Sequence, residues 1–223
     1  MDNGKWKILL LFYFPFSIFH YPFSIMNKLS REFYLPPDTL EIAQDLLGKL
    51  LVVPTATGER VSAMIVETEA YLGEIDKAAH SYKGRRTKRT EVMFSNGGTA
   101  YVFFIYGMYF QFNVVVGAID TPHAILIRAV EPIENIEIMR RRRGKMPDKN
   151  LTSGPGKLCI ALDIDKTLNG ADLLGEKVWL EDFKNFSKKA STVGTRIGID
   201  YAQEFALKPW RFWVKDNLFV SRI

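Results

Sequence analysis

The run Thr99-Ala-Tyr-Val-Phe-Phe-Ile-Tyr106-Gly-Met-Tyr-Phe-Gln-Phe-Asn113-Val-Val-Val116 decides the fold. It is a dense series of β-branched and aromatic residues broken only at Gly107. That pattern predicts two antiparallel strands joined by a tight turn at Tyr106-Gly107-Met108. The strands carry more aromatic rings than strand packing needs, and a turn is normally exposed. Tyr106 and Met108 at the tip therefore present an apolar wedge of the kind that proteins use to unstack DNA.

Working outward, Leu50–Val53 and Val61–Thr68 are β-rich runs separated by a turn at Gly58 and read as paired strands. Ala124–Val130, Lys177–Leu180 and Arg211–Val214 read as further strands. Three helices are predicted. Asp38 caps the first, which carries Leu40, Ala43, Leu46 and Leu47 at helical spacing. The second covers Ile133–Arg143 and stops at Gly144, and a short third begins at Ser153-Gly-Pro155, with proline in its first turn. Residues 72–90 lose all apolar periodicity, and a long loop inside a compact domain is usually functional. With no internal repeat and no linker after residue 26, one mixed α+β domain is expected. It should be rich in antiparallel strands, with surrounding helices and a protruding hairpin.

Of the 223 residues, 47% are hydrophobic and 25% charged, which excludes a largely disordered chain. The single cysteine excludes an internal disulfide framework and fits a reducing, cytoplasmic setting. Three histidines beside it leave little material for a structural zinc site. The net charge of +5 favours a polyanionic partner, and the charge is gathered in places. The loop Ser81–Thr90 holds Lys83, Arg85, Arg86, Lys88 and Arg89 with no acid among them, as a phosphate-contacting loop does. Arg140–Arg143 forms a second cluster at a helix end. It serves either phosphate contact or simple complementation of the helix dipole.

Residues 7–26 are almost wholly apolar and aromatic after Lys5 and Lys7, the pattern of a signal peptide or membrane anchor. Pro15, Pro22 and His20 interrupt it, and everything after Met26 reads as a complete domain. The expected division is an apolar extension over 1–26, outside the working fold, and a functional domain over 27–223, with a membrane tether as the less favoured reading.

Glu67-Thr-Glu69-Ala-Tyr71 sets two carboxylates on one face of an apolar strand, where each is costly unless paired or functional. Spacing leaves two roles open for them: anchoring an arginine of the basic loop, or acting as a general base. His80, alone, reads first as a hydrogen-bonded structural residue.

These residues also carry a resemblance. Leu46-Leu-Gly-Lys-Leu50, Glu67-Thr-Glu-Ala-Tyr-Leu-Gly73 with Asp76 through His80, Tyr106-Gly-Met-Tyr-Phe110, Arg128-Ala-Val-Glu-Pro132 and Leu151 through Cys159 occur in order. Together they make residues 34–215 similar to the alkyladenine (3-methyladenine) DNA glycosylases, the monofunctional base-excision enzymes of the non-helix-hairpin-helix type.

The resemblance implies a curved sheet like that of a formyltransferase carboxy-terminal domain, and double-stranded DNA containing damaged purines as the partner of a monomer. Tyr106 would fill the gap left by a flipped nucleotide, with Met108 beside it. The flipped base would lie between Tyr71 and Phe103, with His80 at its edge and Asn113 at the pocket floor. Glu69 would activate the water, with Arg128 holding carboxylate and water in place, and no metal or cofactor would be required. Two positions depart from the family pattern. Phe103 stands where tyrosine is common, and Thr87-Lys-Arg-Thr90 stands where Thr-Pro-Arg-Asn is common. A non-catalytic nucleic-acid-binding module of the same fold is the alternative implied.

Overall fold

The computed structural model describes residues 27–222, so the readings made on residues 1–26 lie outside the described residues. Two 12-residue antiparallel strands, β2 (Arg60–Tyr71) and β5 (His123–Glu134), form the spine of the sheet. The hairpin strands β3 (Thr99–Ile105) and β4 (Tyr109–Val116) add to the free edge of β5. The other edge of β2 is divided. Its first half pairs with β1 (Leu50–Pro54) and its second with β8 (Arg211–Val214), while β6 (Trp179–Glu181) and β7 (Ser191–Gly194) continue those two branches. The change of partner falls at Glu67, where the β2–β5 register slips on both sides. Bulges of this kind bend a strand and re-aim its side chains, and here the sheet curls around the strand that carries both carboxylates.

Strand alternation separates two faces. One carries Ala100, Val102, Phe112 and Val114 into the main core, where α3 (Pro155–Leu162) packs on β4 and β5 and α1 (Thr39–Asp45) on β2 and β5. Cys159 is buried in that core. The opposite face carries Tyr101, Phe103 and Val115 toward the long loop and a segment near the carboxy terminus. The Asp38 cap is made as the sequence predicts, its Oδ1 accepting from the N–H groups of Leu40 (2.9 Å) and Glu41 (3.2 Å). The hairpin turn is also where it was expected. Tyr106 and Gly107 both have positive φ (54° and 68°), as the central pair of a primed turn requires, and Met108 N–H closes it on the Ile105 carbonyl.

Several boundaries differ: the strands expected over Val61–Thr68 and Ala124–Val130 extend to Tyr71 and Glu134, and the one expected over Lys177–Leu180 is Trp179–Glu181. The helix expected over Ile133–Arg143 is α2 (Ile136–Arg143), because β5 continues through Glu134. Pro132 has no N–H to give a ladder, but a register slip at Ala63 accommodates it, and the strand ends only at the left-handed Asn135. The loop over 72–90 is ordered by Asp76, whose carboxylate accepts from Leu72 and Ala78 N–H. Among the described residues no helix is long and apolar enough to cross a membrane.

Candidate active site

The two carboxylates of β2 are completely buried and share one arginine, Arg128 of β5. Its Nε donates to Glu67 at 2.9 Å, and its Nη1 lies 3.3 Å from Glu69 Oε1. Beyond that shared contact their surroundings diverge. Glu67 also accepts from Arg211 Nε (2.7 Å), from Ser221 N–H (2.7 Å) and from the Ser221 hydroxyl (3.0 Å). It is the arginine anchor, though its arginines come from β5 and β8 and not from the basic loop.

Glu69 accepts from Ile197 N–H at 2.7 Å and from the Tyr71 hydroxyl at 2.9 Å. Burial raises its carboxyl above the ordinary range; Arg128, Ile197 N–H and Tyr71 offset part of that rise, and the charge of Glu67 adds to it. The Tyr71 phenol is pushed well above its usual value, first by burial and then by Glu69, so it stays protonated and keeps donating.

Tyr71, Arg128 and Ile197, the three groups that hold Glu69, all line one cavity of about 230 Å³. Its other walls include Tyr101, Phe103, His80 and Asn113, with Tyr106 also bordering it. Phe103 lies 4.6 Å from the His80 ring and 5.2 Å from the Tyr101 ring, centroid to centroid. His80 Nδ1 is 2.9 Å from the Tyr101 hydroxyl. Burial first, and then the charges of Arg89 and Arg85, push His80 down to about 4, so the imidazole is neutral at physiological pH. Either partner can donate in that bond; in the tautomer where Tyr101 donates to Nδ1, the hydrogen sits on Nε2 and the ring keeps a donor where it lines the cavity. Asn113 is buried and its amide donates to the Tyr101 carbonyl at 3.1 Å, which fixes the side chain where β4 borders the cavity.

The structure thus brings Glu69, Tyr71, His80, Phe103, Asn113, Arg128 and Tyr106 to one place. Met108 does not line the cavity; it stands 65% exposed at the hairpin tip beside Tyr106, which is 76% exposed. In the basic loop, Arg85 and Arg89 line an adjoining cavity of about 310 Å³ with Lys77, and Lys88 is exposed next to them. Arg86 differs: its guanidinium is held by Glu91 and Asp120, each at 2.7 Å. Three of the four arginines of the second basic cluster are also engaged within the protein, while Arg141 is exposed. Arg140 pairs with Glu137 and Asp148, Arg142 with Asp163, and Arg143 donates to the Leu151 carbonyl.

Arg196 plays a part that sequence reading misses. Its side chain is wholly buried in a fork on Asp76, with contacts of 2.5 and 2.9 Å, and it donates to the Ala70 carbonyl. Its guanidinium stacks 4.6 Å from the Tyr71 ring and 4.9 Å from Trp210, bracing the aromatic wall from behind. The stretch Thr195-Arg-Ile-Gly-Ile199 has no periodicity that could signal this. Among the described residues, no group of three or more His, Cys, Asp or Glu side chains gathers as a metal ion would need.

The arrangement can orient a carboxylate behind an aromatic slot, take a flat ring into that slot, and present a hydrogen-bond donor at its edge. Comparison with known proteins agrees with that chemistry. The family model described as methylpurine-DNA glycosylase matches residues 32–218. A protein of Alkaliphilus oremlandii named "Putative 3-methyladenine DNA glycosylase" is 51% identical over 205 residues, covering 87% of this chain and 99% of that relative. Proteins of the same name from Clostridium novyi and Desulfitobacterium hafniense are 49% and 50% identical, each over 88% of this chain and at least 99% of their own length.

Proposed function

This chain belongs to the methylpurine-DNA glycosylase family, and on that premise we propose that it flips damaged purines out of duplex DNA and hydrolyses their N-glycosidic bond. The observation that carries the reading is Glu69: a wholly buried carboxylate with a raised pKa, held by three groups that all line an aromatic cavity. A carboxylate in that state is costly to fold around unless it acts.

The exposed Tyr106 enters the duplex and fills the space of the extruded nucleotide. Unstacking costs a few kcal/mol, least at a damaged pair, so extrusion itself favours lesions. The base enters between Tyr71 and Phe103, where an electron-poor or cationic alkylpurine gains from the π-faces. His80 offers its neutral donor at the base edge, and Asn113 narrows the floor. Glu69 takes a proton from a water as its oxygen bonds to C1′ of the sugar. The C1′–N bond breaks, its electron pair leaves with the base, and an abasic site remains. While that bond is breaking, the carboxylate also stabilises the positive charge developing on the sugar. Arg85, Lys88 and Arg89 contact phosphates, giving affinity that falls with salt.

The test is single-turnover release of 3-methyladenine from an alkylated duplex. Wild type should release the base and leave abasic sites, and Glu69→Gln should not. A protein that bound the duplex in a salt-sensitive way yet made no abasic sites would be a binding module of the same fold instead.

A further inference from the structure

The sugar of an extruded nucleotide stays joined to the duplex on both sides, so it has to sit at the mouth of the cavity. Two aromatic side chains both line the cavity and are largely exposed: Tyr106 at 76%, and Tyr201 at 69%. Tyr106 is on the hairpin tip. Tyr201 comes from the segment Asp200–Leu207, more than 90 residues away in sequence, and lines the same cavity. Tyr201 also lines the adjoining basic cavity, so it stands on the ridge between the two.

Its backbone is held firmly although its ring is free. Ala202, the next residue, is fully buried against Ala78 and Ile199, and its N–H bonds to the Ile199 carbonyl. Gln203 adopts φ 54° and ψ −126°, a conformation strained for a residue with a side chain, and Lys77 holds both its amide oxygen (2.5 Å) and Glu204 (2.9 Å). Arg196, four residues upstream of Asp200, fixes the same segment through the Phe205 carbonyl. The Tyr201 hydroxyl reaches only the Ala78 carbonyl, at 3.5 Å, the outer limit of a hydrogen bond. An exposed aromatic ring on a backbone pinned by strain and by buried contacts is preorganised for a partner.

We propose that Tyr201 is a positioning residue for the extruded nucleotide. Its ring packs against the deoxyribose at the cavity mouth, opposite Tyr106, and holds C1′ over Glu69 while closing the cavity to bulk water. This rests on the base-flipping reading above. It gives the chain from Arg196 to Leu207 two parts in one site, since Ile197 just upstream gives its N–H to Glu69.

The experiment compares wild type, Tyr201→Ala and Tyr201→Phe on a duplex with a single ethenoadenine, whose fluorescence reports extrusion, and measures single-turnover excision on the same DNA. Tyr201→Ala should lower both the extruded population and the excision constant, the latter about tenfold or more, as a lost positioning contact of about 1.4 kcal/mol implies. Tyr201→Phe should stay within about threefold of wild type, because ring packing and not the hydroxyl does the holding. Thermal unfolding and affinity for undamaged duplex should be unchanged in both, since the ring is exposed. A Tyr201→Ala protein with wild-type extrusion and excision would overturn the proposal and leave the glycosylase reading intact. If wild type released no damaged purine from either this duplex or alkylated DNA, the reading itself would fall and take the proposal with it.

Discussion

Glu67 and Glu69 sit two residues apart on one strand, equally buried and touching the same arginine, yet they are held by different partners. Glu67 has two arginines and both polar groups of Ser221, so its charge is fully answered within the protein. Glu69 has the far end of Arg128, one backbone N–H and one phenol, and burial outweighs them. Desolvation of a carboxylate is costly in either place. At Glu67 the protein has offset that cost, and at Glu69 it has left part of it standing behind three groups that line a cavity. The contrast separates a charge that holds the fold from the one to which the proposed function gives the chemistry, by partner count and not by burial.

Exchanging the two residues' roles by mutation is the sharpest way to break the comparison. Glu69→Gln should lower single-turnover excision by about 10²–10⁴-fold, the range for a lost general base, while the protein stays folded. Glu67→Ala should act mainly on stability. It strands Arg128 and Arg211, and a buried ion pair broken on one side costs about 3–5 kcal/mol, readable as a fall in the denaturation midpoint. If Glu67→Ala left stability untouched and abolished excision, the assignment of the two roles would be reversed.

Tyr71→Phe keeps the aromatic wall but removes a hydrogen bond to a charged group. Excision should fall about tenfold, the lower end of what such a bond is worth, with the base-binding step little changed. The pH dependence should follow Glu69. Excision should decline as pH drops through its raised carboxyl pKa, a limb that His80, already neutral above about 4, does not contribute to.

The smallest effect concerns stability. An unfolded glutamate ionises first, near about 4.3, and the folded Glu69 only at higher pH. Between those values the folded state keeps a proton that the unfolded chain has lost. Stability therefore decreases as pH rises through the window, and the deficit persists above it. Glu69→Gln should accordingly be slightly more stable than wild type at neutral pH, and no more stable below the window, by chemical denaturation at the two pH values.

How much of this could be read from sequence depends on how far apart the cooperating residues lie. The hairpin, its turn and the carboxylate strand are local patterns of apolar alternation, and they are where the residues predict them. The helix over Ile133–Arg143 began late because a bulge let Pro132 stay in a strand, a matter of pairing with Ala63 some 70 residues earlier. Glu67 could not be told from Glu69 by spacing, since what distinguishes them is Arg211 and Ser221, 144 and 154 residues downstream. Arg196 and Tyr201 belong to a segment held by its contacts and not by any repeat, so nothing local announces them. The resemblance named the cavity residues from Tyr71 as far as Arg128. The brace behind Tyr71 and the second aromatic at the mouth emerged only with the fold.

The lone cysteine, set aside as a sign of a reducing compartment, acquires a second meaning beside this chemistry. Electrophiles that methylate purines also attack thiolates, and the thiolate is the reactive form. Cys159, on the core face of α3, is 1% exposed, and burial pushes its thiol well above the usual range. An agent that creates the proposed substrate thus finds no cysteine on this protein to react with. At that one nucleophile, burial shields the protein from such agents.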